Sequence, residues 1–146
     1  IAPFLEYPGK WGIILGVTSN NGADDVQKTE TRDRTPLYLD VIQKALDWGN
    51  KDNTMFVVGA TPPEELKKVR KIAPDHFLLI PGVGAQGGSL EEVAGNGMNR
   101  ECGLLVNASR SVIYADITNR FEIAARQKAI EMRDEMEALL KQAEIH

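Results

Sequence analysis

Four short apolar runs alternate with four segments of helical periodicity, and this alternation restricts the fold more than any other feature of the chain. The runs predict strands at residues 11–17, 54–58, 76–80 and 103–106. Strands that alternate with helices form right-handed βαβ units and a parallel sheet. The runs lack strict alternation, which is typical of strands covered on both faces. The sequence therefore predicts an α/β fold with four parallel strands, each followed by a helix.

Capping residues mark the predicted helix starts. The first helix is expected at Thr35 and Pro36, the second at a capping box over 61–64, and the third at Ser89 with Glu92. The fourth follows residue 116 or 118. Residues at helical spacing predict the buried faces of the first, second and fourth helices: Leu37, Val41, Ala45 and Trp48; Leu66, Val69 and Ala73; Phe121, Ala125, Ala129, Met132, Met136 and Leu140. The polar stretch 21–34 is predicted to be a mobile loop.

Two strand ends carry groups that suit an anion. Residues 81–88 follow the third strand and are rich in glycine, whose backbone N–H groups can approach a phosphate closely because no Cβ is in the way. Residues 107–110 follow the fourth strand and end in the guanidinium of Arg110. In (β/α)8 barrels, phosphate often binds in the loops after strands 7 and 8. The last two βα loops of this chain therefore resemble that arrangement.

The chain is short for such a barrel. A complete one has about 250 residues, whereas this chain has 146 and begins at Ile1. We expect residues 1–146 to be a single incomplete domain, the C-terminal half of a (β/α)8 TIM barrel whose N-terminal half is missing. A half-barrel leaves two strand edges unpaired and one sheet face uncovered, so it should need a partner.

Composition excludes several classes of function. The chain has 17 basic and 21 acidic residues, a net charge of −4 and no basic stripe, which argues against nucleic acid. No apolar run approaches the roughly 18 residues of a membrane span, and the first ten residues do not resemble a signal peptide. The single cysteine, Cys102, fits a reducing compartment, and we predict a cytoplasmic protein. His76 and His146 are too far apart in sequence to suggest a metal site.

A second interpretation of the glycine-rich segment stays open on the residues alone. Gly82, Gly84 and Gly87 match the G-x-G-x-x-G motif of dinucleotide-binding domains. Those domains place an acidic residue at the end of the next strand, where this chain has residues 107–110. Glu101 has nearly the right spacing but precedes that strand, and Arg110 could seat a 2′-phosphate. Alternatively, the glycines only permit a tight turn.

Four motifs at the strand ends, in order, resemble orotidine 5′-monophosphate decarboxylase in its longer bacterial form. They read TSNNGA at 18–23, VGAT at 58–61, PGVGAQGG at 81–88 and NASR at 107–110. The resemblance covers essentially the whole chain, over what would be strands five to eight of the barrel. It implies conversion of orotidine 5′-monophosphate to UMP and carbon dioxide in de novo pyrimidine biosynthesis, with no metal or organic cofactor, by a homodimer.

The same resemblance implies roles for individual residues. Ser19 would hydrogen-bond the pyrimidine, Gln86 would contact both ends of the substrate from a mobile loop, and Arg110 would bind the phosphate. Pro81 and Val83 would line the apolar side of the pocket, and backbone N–H groups of the glycine-rich loop and of the turn around Ser109 would share the phosphate. The predicted substrate-binding residues are Ser19, Pro81, Gly82, Val83, Gln86, Ser109 and Arg110.

One departure from the family limits what the chain can do alone. The catalytic array of that family, an Asp-x-Lys-x-x-Asp motif, does not occur in this sequence. Asp24, Asp25 and Lys28 form the nearest cluster, but their order differs and we interpret them as solvated loop charges. We therefore predict no catalytic residue in this chain and no activity for the chain alone. A non-catalytic phosphate-binding half-barrel module is the alternative from another class.

Overall fold

The computed structural model describes residues 1–84 and 87–145. Its elements, in chain order, are α1 (Ala2–Leu5), β1 (Gly12–Val17), α2 (Asp24–Gln27), α3 (Leu37–Leu46), β2 (Thr54–Val58), α4 (Pro63–Ile72), β3 (Phe77–Pro81), α5 (Leu90–Gly97), β4 (Leu104–Asn107), α6 (Arg110–Ile113) and α7 (Phe121–Gln142). All four predicted strands are present, each with bounds within one residue of the prediction.

The four strands form one parallel sheet in the order β1-β2-β3-β4. Sequential order means that each crossover leads to the next strand along, as it does around a barrel. A doubly wound dinucleotide-binding sheet instead reverses its order at a switch point. No reversal occurs in the described sheet, so the order favours a barrel segment over that alternative.

The helices cover one face of this sheet. Tyr38, Ile42, Leu66 and Val69 from α3 and α4 are almost fully buried, in one core cluster with the strand residues Phe56, Val58, Leu78 and Ile80. On other strand positions, Ile13 is 52% exposed, Leu15 55% and Leu105 50%. These exposed residues agree with the expectation that a half-barrel leaves one sheet face uncovered. Apolar side chains remain open on the second face.

The predicted buried face of α3 was only partly right, since Ala45 is buried as expected. The helix begins at Leu37, after Pro36 in the capping position, and no side-chain cap forms. Its buried residues are Tyr38, Ile42 and Ala45, whereas Leu37 is 37% exposed and Trp48 52%. The Tyr38 hydroxyl donates a hydrogen bond to the buried carboxylate of Glu65. A satisfied tyrosine can thus occupy a core position.

Two cap predictions had opposite outcomes. The capping box at 61–64 does not form, because Pro62 occupies the capping position of α4 and has no side-chain oxygen to accept a hydrogen bond. The Ser89 cap is confirmed, since its hydroxyl accepts from the Glu92 backbone N–H at 3.0 Å. The inward face of α4 is also confirmed, because Leu66, Val69 and Ala73 are fully buried.

The long C-terminal helix packs along only part of its length. No residue of α7 is fully buried, but Met132, Met136 and Leu139 pack against the core. Phe121, at its first turn, is 57% exposed, so the predicted apolar face is covered only towards the C-terminus. The i,i+4 spacing of Glu122 with Arg126 and of Glu137 with Lys141 predicts two ion pairs on this helix, and the second forms at 2.6 Å. Glu122 with Arg126 is not among the ion pairs of the described residues.

Candidate anion-binding site

Three strand ends enclose one cavity of about 280 Å³ at the carboxyl edge of the sheet. The loops after β1, β3 and β4 line it with Thr18, Ser19, Asn20, Pro81, Gly82, Val83, Asn107, Ala108, Ser109 and Arg110. Six of the seven predicted substrate-binding residues therefore lie together. The seventh, Gln86, lies outside the described residues. Parallel strands deliver their loops to a shared edge, which explains how residues as far apart in sequence as Thr18 and Arg110 meet.

The loop after β3 forms a closed turn built on glycine. Gly82, Gly84 and Gly87 have φ values of 94°, 78° and 86°, a region that side chains with a Cβ rarely occupy. The Gly84 N–H donates to the Gly88 carbonyl at 2.9 Å, and the Gly87 N–H donates to the Gly84 carbonyl at 3.2 Å. The three glycines of the G-x-G-x-x-G match are thus all required by the path of the backbone.

Arg110 supplies a positive charge to the cavity from the loop after β4. It is the first residue of α6, immediately after the turn in which the Ser109 hydroxyl lies 3.2 Å from Asn107 Oδ1. Its guanidinium forms no ion pair with any residue in the described part of the chain. An arginine of this kind can bind a phosphate or carboxylate with two parallel hydrogen bonds.

Ser19, at the third side of the cavity, is packed against the end of β2. Its hydroxyl accepts a hydrogen bond from the Thr61 backbone N–H at 3.4 Å. A Cβ added to Gly59 would lie 2.2 Å from the Ser19 hydroxyl oxygen, so only glycine allows this approach. The neighbouring Thr18 N–H donates to the side-chain oxygen of Gln27 at 2.9 Å.

Gly59 and Gln27 therefore support the site from outside the cavity. Neither of them was assigned a role from the sequence. Gly59 belongs to the VGAT motif at the end of β2, so the sequence did indicate that this position matters. Gln27 carried none, because its contact with Thr18 depends on the conformation of the intervening loop.

Sequence comparison identifies the relatives of this chain. It is 50% identical over 142 residues to orotidine 5′-phosphate decarboxylase of Phocaeicola vulgatus, an alignment that covers 97% of this chain and 52% of the relative. The enzyme of the same name from Porphyromonas gingivalis is 52% identical over 141 residues, with 97% and 51% covered. The chain is a relative of the orotidine 5′-phosphate decarboxylases. It spans about half the length of the curated relatives it matches, and no protein-family model matches it.

Solved structures agree with this relationship. The OMP decarboxylase of Leishmania donovani superposes with a TM-score of 0.76 at 34% identity, over 94% of this chain and 50% of that one. The UMP synthase of the same organism gives 0.79 at 37% identity, over 94% of this chain and 29% of that one. The predicted fold class is confirmed: four parallel strands that alternate with helices correspond to part of a decarboxylase barrel.

Asp24 and Lys28, from the acidic and basic cluster noted in the sequence, form an ion pair on the loop after β1. Lys28 Nζ lies 2.9 Å from Asp24 Oδ1, and a hydrogen bond from the lysine to this carboxylate raises the pKa of Lys28. The lysine therefore stays protonated and paired, beside a second cavity of about 510 Å³ that shares Thr18 and Ser19 with the first. The stretch 21–34, predicted as a loop, contains the short helix α2.

Two absences complete the description of this decarboxylase relative. Within residues 1–84 and 87–145, no group of three or more His, Cys, Asp or Glu side chains is arranged to hold a metal ion. No helix in the same part of the chain is both long and apolar enough to cross a membrane.

Proposed function

We propose that this chain supplies the C-terminal, substrate-binding half of an orotidine 5′-phosphate decarboxylase. The proposed reaction converts orotidine 5′-monophosphate to UMP and carbon dioxide in de novo pyrimidine biosynthesis. The observation that carries the proposal is the single cavity in which Arg110, the glycine turn and Ser19 meet from three different strand ends. The chain is 50% and 52% identical to two enzymes of that name, which supports the proposal.

Each side of the cavity has a proposed partner on the nucleotide. The phosphate binds Arg110 together with backbone N–H groups of the turn at 82–88 and of the turn around Ser109. The pyrimidine lies near Ser19, and Pro81 with Val83 form the apolar wall. Gln86 is proposed to contact both ends of the nucleotide. Phosphate binding far from the breaking bond can supply the energy that closes a loop over the reacting centre.

The chemical step is assigned to residues outside this chain. The Asp-x-Lys-x-x-Asp array implied by the resemblance is absent here, and general acid catalysis needs its proton donor within hydrogen-bond reach of the reacting atom. We therefore propose that residues 1–146 form one incomplete domain that pairs with an N-terminal half. We further propose that the complete protein is a cytoplasmic homodimer that works without metal or organic cofactor.

A hybrid protein tests this proposal. It joins the N-terminal half of the Phocaeicola vulgatus relative to Ile1 of this chain. The hybrid should consume orotidine 5′-monophosphate, measured as loss of orotidylate absorbance, whereas each half expressed alone should show none. Turnover by the 146-residue chain alone would mean that its catalytic groups have been misplaced. A folded hybrid that neither turns over the substrate nor binds UMP would contradict the proposal.

The missing catalytic array favours one other candidate, a non-catalytic phosphate-binding half-barrel. In that case the chain keeps the anion site as its whole function. Binding of inorganic phosphate and of UMP with equal affinity, by a hybrid without turnover, would support this candidate. A preference for UMP over phosphate together with turnover would exclude it.

A further inference from the structure

Ser19 lies two residues beyond the end of β1, where the pairing with β2 stops. β1 ends at Val17, so Thr18 is the first residue beyond the strand and its N–H must find an acceptor outside the ladder. Thr18 and Ser19 both line the cavity that holds Arg110. A shift of Thr18 would therefore move Ser19 relative to the anion end of the site.

Gln27 is the acceptor for that N–H. Its Oε1 accepts from the Thr18 N–H at 2.9 Å across nine residues, and both residues are half-buried. The side chain comes from the last residue of α2, in the polar stretch that follows the strand. This hydrogen bond closes the start of the loop onto the end of β1.

The helix that carries Gln27 is itself anchored at several points. Asp24 pairs with Lys28 across one turn, and the Gln27 N–H donates to the Ala23 carbonyl at 2.8 Å. Beyond the helix, the Leu37 N–H donates to the Thr29 carbonyl at 2.9 Å, which ties the loop to the start of α3. Gln27 therefore extends from a supported segment.

We infer that Gln27 is a positioning residue that sets the affinity of the site for the pyrimidine by holding Thr18, and through it Ser19, in place. The inference rests on the proposed function, because Ser19 faces the base in that proposal. It assigns Gln27 no contact with the nucleotide. The phosphate end of the site, at Arg110 and the glycine turn, does not depend on it.

The test compares two ligands on variants of the hybrid protein. Gln27→Met removes the acceptor at similar size, and Gln27→Glu keeps an oxygen in its place. Gln43→Met is the matched control, because Gln43 is exposed on α3. Gln27→Met should raise the Kd for UMP by about tenfold, yet leave the Kd for ribose 5-phosphate, which lacks the base, within about twofold. Gln27→Glu should recover most of the loss, and Gln43→Met should change neither constant.

A double variant distinguishes an effect that acts through Ser19 from a nonspecific effect on the fold. Because Gln27 acts through Ser19, Ser19→Ala and Gln27→Met should be strongly non-additive, so that the double variant binds UMP about as weakly as the worse single one. Equal losses for UMP and ribose 5-phosphate, or fully additive losses in the double variant, would overturn the inference.

Hydrogen exchange decides the contact independently of any ligand. In Gln27→Met the Thr18 amide should exchange at least about tenfold faster, while the Gly59 amide, which donates to the Val17 carbonyl at 2.8 Å, should keep its rate. An unchanged Thr18 rate would overturn the inference even if UMP binding fell. If the unmodified hybrid fails to bind UMP, the proposed function fails, whereas the exchange rates still decide the role of Gln27.

Discussion

Arg110 is the residue on which the anion assignment depends most directly. It lines the same cavity as Ser19, and its guanidinium has no ion-pair partner in the described residues. A charge-assisted hydrogen bond contributes roughly 1.5 to 3 kcal/mol, whereas an isolated exposed charge contributes almost nothing. These two cases are far enough apart for a single substitution to distinguish them.

We predict that Arg110→Ala in the hybrid protein raises the Kd for UMP by at least about tenfold. Lysine at the same position should restore only part of the affinity, because it keeps the charge but loses the planar fork. Calorimetric titration of UMP and of uridine against each variant is the measurement. Uridine lacks the phosphate, so an equal penalty for both ligands would show that Arg110 acts through the fold.

The sequence predicted the site residues that lie at the ends of strands. It did not predict those whose role depends on a contact between two loops. The glycines at 82, 84 and 87 and Arg110 were predicted because strand ends of a parallel sheet share one edge. Gly59 was recognised only as part of a motif, since its close approach to Ser19 depends on the distance between two loops. Gln27 was missed because nothing in its neighbours indicates a contact nine residues away.

At the scale of elements, one half-buried guanidinium joins the ends of α4, α5 and two strands. Arg70 Nε donates to the Gly97 carbonyl at 2.6 Å, and its Nη2 donates to the Gly103 carbonyl at 2.9 Å. Its Nη1 donates to the Ala73 and His76 carbonyls at 2.9 and 2.7 Å. Burial lowers the pKa of Arg70 to about 10, so it remains charged at neutral pH. The carbonyls replace the water that this charge loses.

Arg70→Met should therefore lower the free energy of unfolding of the hybrid by about 3 kcal/mol, because several buried carbonyls lose their donor. Lys71→Met, one position along the same helix and exposed, is the control and should change stability by less than about 0.5 kcal/mol. Urea unfolding measures both. A loss for Arg70→Met no larger than that of the control would contradict this role.

The same junction should make stability depend on pH. Neither ring nitrogen of His76 has a hydrogen-bond partner in the described residues, and burial, as the largest cause, lowers its pKa from the usual value of 6.5. As the pH falls, His76 is therefore protonated in the unfolded state before it is protonated in the folded state. The free energy of unfolding should be highest above about pH 6.5 and should fall as the pH drops towards the lowered pKa.

The comparison of unfolding curves at several pH values for the unmodified hybrid and for His76→Phe checks this pH dependence. Phenylalanine fills a similar volume beside Phe56, whose ring centroid lies 5.6 Å from that of His76. The variant should lose part of the acid sensitivity below about pH 6.5. Parallel stability curves for the two proteins would show that His76 does not titrate in this way.

The boundaries of the strands were predicted better than the faces and caps of the helices. Buried strands appear as apolar runs bounded by glycine or proline, and these boundaries were found within one residue. The face of α3 was not, because Tyr38 can be buried only where Glu65 accepts its hydroxyl, and that contact lies in another helix. The cap at Thr61 failed because a second proline moves the start of α4 along the chain.

At the scale of the whole molecule, the uncovered sheet face predicts self-association. Ile13, Leu15 and Leu105 are half-exposed, and β1 and β4 each end the described sheet with one unpaired edge. Such edges and faces favour association with another chain. The isolated chain should therefore sediment as oligomers or aggregates, and Leu15→Lys should reduce this association. A cooperative monomer of 16.1 kDa would contradict the prediction.

A crystal structure of the hybrid protein with UMP is the measurement that tests the central claim most directly. The account predicts that the phosphate lies within hydrogen-bond distance of the Arg110 guanidinium and of backbone N–H groups in the turn at 82–88, with the pyrimidine directed towards Ser19. A nucleotide bound elsewhere, or a phosphate in this cavity with Arg110 turned away from it, would contradict the account.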